Sequence, residues 1–151
     1  MKSLSKTFAS DYQNGKKAEA LSHPILQQLT KNPLIHIQDP YSPWDFENQT
    51  TVIEHKSREV KFTDYNETMI EYLKVQRASN ENKRVWFAFR FKDGLYVIRY
   101  KKELFDSFRR ELVRVKDRID YKDGVKEKLY IPTNLLKCLE KWSEPCLLLD
   151  D

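Results

Sequence analysis

Two hydrophobic periods alternate along the chain. From Asp11 to Lys31 apolar residues recur at three- and four-residue steps, at Ala18, Leu21, Ile25 or Leu26, and Leu29, which predicts an amphipathic helix. Pro24 lacks an amide hydrogen and crowds the preceding turn, so the stretch is expected to break or kink, as two helices meeting near Ser22. Residues 1–10 are polar and basic and read as a loose lead-in. After Asn32-Pro33 the period drops to two. Leu34–Ile37 reads as a short strand, and Asp39-Pro40 and Ser42-Pro43 mark turns. Pro43-Trp44-Asp45-Phe46 opens a strand, Asn48 to Thr51 can turn the chain, and Val52–Lys56 returns as its partner.

A second helix is predicted over Thr63–Ala78, capped by Thr63 or Asp64, with Met69, Ile70, Tyr72 and Leu73 as its apolar positions. Two β-rich runs, Arg84–Phe91 and Leu95–Tyr100, flank Lys92-Asp93-Gly94 and form the clearest hairpin. Their aromatics Trp86, Phe87, Phe89, Phe91 and Tyr96 read as sheet packing rather than base-stacking surfaces. Lys101–Phe108 reads as a short helix and Val125–Pro132 as a strand. Thr133 is expected to cap a closing helix, Asn134–Trp142, that packs Leu135, Leu136 and Leu139 inward ahead of a loose tail over 143–151.

This order of elements predicts an α/β (α+β) fold, a central mixed sheet flanked by helices, in one domain spanning 1–151. A 40% hydrophobic chain with 13% aromatics has the material for a core. The net charge of +4 is compatible with a polyanionic partner without establishing one. Cys138 and Cys146 form no Cys-x-x-Cys pattern and no zinc-like cluster, which fits a reducing compartment. The opening MKSLSKTFAS lacks the apolar stretch of a signal peptide, and no run approaches membrane length. A cytoplasmic protein is expected.

Candidate chemistry concentrates in Ser42–Arg58. Strand alternation sends Glu54 and Lys56 to one face, about 7 Å apart, and a hairpin brings Asp45 toward the same side. Two carboxylates and an amine gathered on one sheet face are costly without a partner, and oxygen donors predict a divalent cation, magnesium. Glu47 lies two residues beyond Asp45 and is an outer contact at most. His55 faces the opposite side and reads as a hydrogen-bonded core histidine.

Pro43, Asp45, Glu54 and Lys56 together resemble the signature of the PD-(D/E)XK nuclease superfamily. Arg58 completes the E-x-K-S-R that many members carry, and Gly15 and Glu19 resemble the G-x-x-x-E of their first helix. The resemblance covers the order of elements over roughly residues 10–135 and implies a restriction-endonuclease-like αβββαβ core. It implies magnesium or manganese held by Asp45, Glu54 and the backbone carbonyl of His55, with Glu19 joining through water or a second ion. On its own, Glu19 reads as a solvated helix carboxylate. Lys56 would orient the attacking water or stabilise charge on phosphorus. Lys74 and Gln76 on the second helix are candidates for the cleft, and each otherwise belongs to an exposed polar face. Where many relatives have an aliphatic residue between Glu and Lys, this chain has His55.

DNA is the implied partner. The basic run Arg109, Arg110, Arg114, Lys116 and Arg118 is the candidate grip on its backbone, against the reading as a solvated face. Small single-domain members resemble Holliday-junction resolvases and endonucleases of phages and other mobile elements, many of which dimerise to cut two strands. Two alternatives remain. One is a catalytically inactive nucleic-acid-binding or interaction module of the same fold. The other is an unrelated α+β domain with a coincidental Glu-x-Lys.

Overall fold

The computed structural model describes residues 2–114 and 124–142. It is a mixed α+β protein with a six-stranded central sheet and a smaller three-stranded one. Helix α1 runs over Lys2–Leu26 and continues into a 3-10 turn over Gln27–Leu29. The helix therefore begins where a loose lead-in was expected and passes through Pro24 without a break near Ser22. Pro24 falls in the last turn, so the missing hydrogen bond costs little more than fraying would, and the chain tightens just beyond it. Glu19, Ser22 and Leu26 form the buried stripe, whereas Leu21 is 64% exposed. The inward face is thus rotated from the one that apolar spacing predicts, and it carries polar residues.

The central sheet follows the order β1 (Ile35–His36), β2 (Phe46–Glu47), β3 (Thr51–Ser57), β5 (Arg84–Phe91), β6 (Gly94–Arg99) and β9 (Lys137–Lys141). All neighbours are antiparallel except β3 and β5, which run parallel. A parallel pair needs a crossover. Here it is made by β4 (Glu67–Glu71) and helix α2 (Tyr72–Ser79). Both expected hairpins are present, with Phe46 opposite Ile53 and Phe91 opposite Gly94. The turn itself is Lys92-Asp93, and Gly94 already belongs to β6. A side-chain carbon on Gly94 would lie 2.7 Å from the Glu140 carbonyl of β9, so close strand approach explains the glycine.

Two predicted helices are partly or wholly strand. The first half of Thr63–Ala78 forms β4, in which Thr68 and Ile70 are buried and Met69 is exposed, the alternation of a half-buried strand. It pairs with β8 (Val125–Pro132), which pairs in turn with β7 (Arg110–Arg114). The closing segment is a 3-10 turn, Thr133–Leu135, followed by edge strand β9. Its leucines allow a helix, but the open edge of β6 offers backbone partners, and pairing there overrides local propensity. Leu136 is buried, Leu139 packs on the core and Leu135 is exposed. The short helix after the hairpin, α3, spans Lys102–Asp106.

Alternation along β3 divides two cores. Ile53 joins Leu26, Phe46, Ala88 and Val97 on the α1 side. Val52 joins Val85, Phe87, Val75 of α2 and Leu129 of β8 on the other. The aromatics Phe87, Phe89, Phe91 and Tyr96 are buried, as their pattern predicts. No described helix is long and apolar enough to cross a membrane.

Candidate functional site

Strand β2 pairs with β3 only through Phe46 and Glu47. Beyond them the Asp45 amide still donates to the Ile53 carbonyl at 2.9 Å, and then the chains part. The next β3 amide, that of His55, donates to the Asp45 carboxylate at 2.8 Å instead of to backbone. A residue's N–H and C=O point to the same edge of a strand, so the His55 carbonyl opens toward the same gap. This parting of two strands makes a cavity of about 300 Å³ lined by Glu19, Asp45, Glu54, Lys56 and Lys74.

Five side chains from four elements thus converge. Glu54 is almost fully buried, and its carboxylate sits 3.6 Å from the Lys56 amine and 3.3 Å from that of Lys74. Burial, with the Asp45 charge adding to it, pushes Glu54 up to about 7 despite those cations. Glu19 is also pushed up to about 7, by burial and then by Asp45. Its Oε1 accepts from Lys16 at 3.1 Å and from His36 Nε2 at 2.7 Å. Burial, and then Lys16, lower the His36 imidazole below its usual range, so the neutral ring donates one N–H to Glu19. Gln38 donates to its other nitrogen at 3.2 Å.

The expected triad of Asp45, Glu54 and Lys56 therefore lines one cavity, with Glu19 and Lys74 beside it. His55 is the core histidine its strand position predicts. It shares a 2.9 Å hydrogen bond with Ser22, and burial holds it down to about 3, hence neutral. Asp39 caps its own turn, its carboxylate accepting from the Tyr41 amide at 2.9 Å, and reaches the cavity rim.

Other candidates lie elsewhere. Glu47 is on the Asp45 face but one strand repeat away, where Lys83 engages it at 2.7 Å. Gln76 is exposed on α2, two residues from Lys74 and therefore turned off the cleft. Arg58 leaves the cavity to bind the Thr68 hydroxyl at 3.1 Å and the Met69 carbonyl, tying β3 to β4. Two members of the basic run are matched by acids. Arg109 pairs with Glu67 and Glu111, both at 2.7 Å, and Arg110 with Glu127 at 3.7 Å. Arg114 is exposed on β7, and Lys116 and Arg118 lie outside the described residues.

Lys16 and His36 were not singled out in the sequence. The three-residue step from Lys16 to Glu19 was a usable signal, and His36 in its short strand carried none.

Among the described residues no three His, Cys, Asp or Glu side chains form a ready metal cage. The donor set at the gap is the Asp45 carboxylate just ahead of β2, the Glu54 carboxylate of β3, a helix carboxylate and a backbone carbonyl. All are hard oxygen donors of the kind magnesium takes, usually with water completing the shell. Burial first, and then the Asp45 charge, keep the Glu19 and Glu54 carboxyls raised despite the nearby lysines. The residues fit a divalent cation. Comparison with known protein-family models and with curated protein sequences gives no match.

Proposed function

We propose that the protein is a metal-dependent nuclease that hydrolyses phosphodiester bonds of DNA. The observation that carries this reading is the opening of Asp45, Glu54 and Lys56 into one cavity, with Glu19 reaching it from α1. Support also comes from the element order. A helix, three antiparallel strands, a crossover helix and a strand parallel to the third correspond to α1, β1–β3, α2 and β5, as a restriction-endonuclease-like αβββαβ core requires; β4 is an insertion.

Magnesium or manganese held by Asp45, Glu54 and the His55 carbonyl would supply Lewis acidity toward the phosphoryl group and a more acidic water. Glu19 lines the same cavity and would join such an ion directly or through water. The chain's own part is preorganisation. Asp45 is fixed by the His55 amide, Glu54 by Lys74, and Glu19 by His36 and Lys16. Lys56 is a third exposed, so its ammonium can reach a phosphoryl oxygen while staying near Glu54. As the water oxygen bonds to phosphorus and the bridging P–O bond breaks, that cation offsets the growing charge.

Incubating the protein and its Asp45→Ala and Lys56→Ala variants with magnesium and a panel of supercoiled, linear, single-stranded and branched DNA tests this. Cutting by the parent and by neither folded variant is expected. Intact DNA throughout, with manganese as well, would remove the enzyme reading. Salt-sensitive binding without cutting would favour a non-catalytic module.

A further inference from the structure

A second, larger cavity of about 610 Å³ adjoins the first, and Lys56 lines both. Its floor is rigid. Phe62 stacks on Tyr96 at 3.9 Å, Phe91 packs edge-on against both, and the Phe62 amide donates to Asp93 at 2.9 Å. At its mouth Tyr65 is 65% exposed. Yet its backbone is anchored, because the Thr133 hydroxyl donates to the Tyr65 and Asn66 carbonyls at 3.3 and 3.1 Å. An exposed aromatic ring on a fixed loop is a stacking platform.

Lys56, Arg58 and Lys128 line this cavity beside the Glu71 carboxylate. Lys128 of β8 projects there near Lys56 and Arg58, and its own acid, Glu71, is shared with Lys126 at 3.4 Å and lies 3.8 Å from Lys128. Burial first, and then the charges of Lys56, Lys126 and Arg58, lower the Lys128 amine below its usual range even with Glu71 opposing the shift. An anion would relieve it. A cavity of this size, lined by an exposed aromatic ring and by lysines, matches one nucleotide: a flat base and a phosphate. A base paired within a duplex could not enter it.

We infer that the second cavity receives an unpaired nucleotide next to the scissile phosphate, its base against Tyr65 and its phosphate at Lys128. This rests on the nuclease reading and deepens it. The substrate has a single-stranded segment at the cut, as in single strands, flaps or opened branches.

The test uses the full chain carrying Glu54→Gln, to bind without cutting, and short oligonucleotides as single strand, blunt duplex and duplex with a single-stranded arm. A single strand made as RNA separates the two sources of an unpaired nucleotide. Single-stranded forms should bind at least about tenfold tighter than blunt duplex. Tyr65→Ala should remove about tenfold from them alone. Lys128→Gln should flatten the salt dependence by about one phosphate contact. Equal binding of blunt duplex and single strand, or a Tyr65→Ala variant that weakens neither or both alike, would overturn the inference. With Glu54 intact and magnesium present, cutting without that preference removes the inference alone. Failure to cut any form removes the nuclease reading, and with it a scissile phosphate for this nucleotide to flank.

Discussion

The Asp45 carboxylate accepts the backbone N–H of His55 at 2.8 Å, taking the place of a ladder bond where β2 and β3 part. One carboxylate oxygen is thereby held to β3, and the Asp45 side chain lines the cavity. Asparagine can accept the same bond without the charge. Asp45→Asn should keep its stability within about 1 kcal/mol and lose cleavage by at least about a hundredfold. Asp45→Ala should lose the same activity and also about 1–3 kcal/mol, because the His55 amide is left unpaired. Single-turnover cleavage beside urea denaturation checks both. An Asp45→Asn protein that cuts at the parental rate would take Asp45 out of the chemistry.

Glu54 links the site to stability through pH. Its folded pKa is raised from 4.5 to about 7, so between those values the folded chain holds a proton that the unfolded chain has lost. Metal-free stability should fall as pH rises through this window and level off above it, a loss of about 3 kcal/mol. Magnesium binds the ionised form and should restore part of the loss at pH 8. Glu54→Gln should remove this share of the pH dependence and leave that of Glu19, stabilise the metal-free protein at pH 8 and abolish cleavage. Thermal denaturation across pH, with and without magnesium, reads all three. A parent whose stability rises from pH 5 to pH 8 would contradict the assignment.

Much of the site was legible because it depends on short-range geometry. The period of a strand placed Glu54 and Lys56 on one face, and a four-residue turn brought Asp45 opposite them. His55 followed from the same alternation. Helix α1 was harder to read. Its inward face carries Glu19 and Ser22 where periodicity offered Ala18 and Leu21, since a helix that serves a cavity buries polar side chains. The segments misread as helix, at β4 and β9, share a different cause. Their strand form depends on partners distant in sequence, β8 and β6, and no local pattern announces those. Lys128 stayed hidden for the same reason, because the β4–β8 pairing carries it toward Lys56.

The His36 ring has two separable roles. It stacks on Phe46 with centroids 4.9 Å apart, and it donates to Glu19. His36→Phe keeps the ring and deletes the donor. The fold should be retained, because the stacking partner and apolar neighbours persist, while Glu19 loses a bond that aims it. The magnesium concentration for half-maximal cleavage should rise by about tenfold or more, the usual effect of removing a group that orients a metal-facing carboxylate. Saturating magnesium should recover most of the rate. A metal titration that is unchanged in His36→Phe would leave the histidine a packing residue only.

Two glycines make a paired test of space, one filled by the protein and one open. Alanine at Gly94 would press against the Glu140 carbonyl at 2.7 Å, and backbone cannot easily give way. Gly94→Ala should cost about 1–3 kcal/mol by loosening β9, with little change in cleavage by the protein that remains folded. At Gly15 a methyl group would meet nothing within 4 Å beyond its chain neighbours and its own helix backbone, yet Gly15 lines the carboxylate cavity. Gly15→Ala should therefore stabilise α1 by about 0.5–1 kcal/mol. If substrate occupies that open space, the same methyl group slows cleavage or raises KM. Gain of stability with loss of turnover is the expected outcome, since no internal clash can account for the loss. A Gly15→Ala protein that is both more stable and equally active would mean that substrate never comes near this turn of the helix.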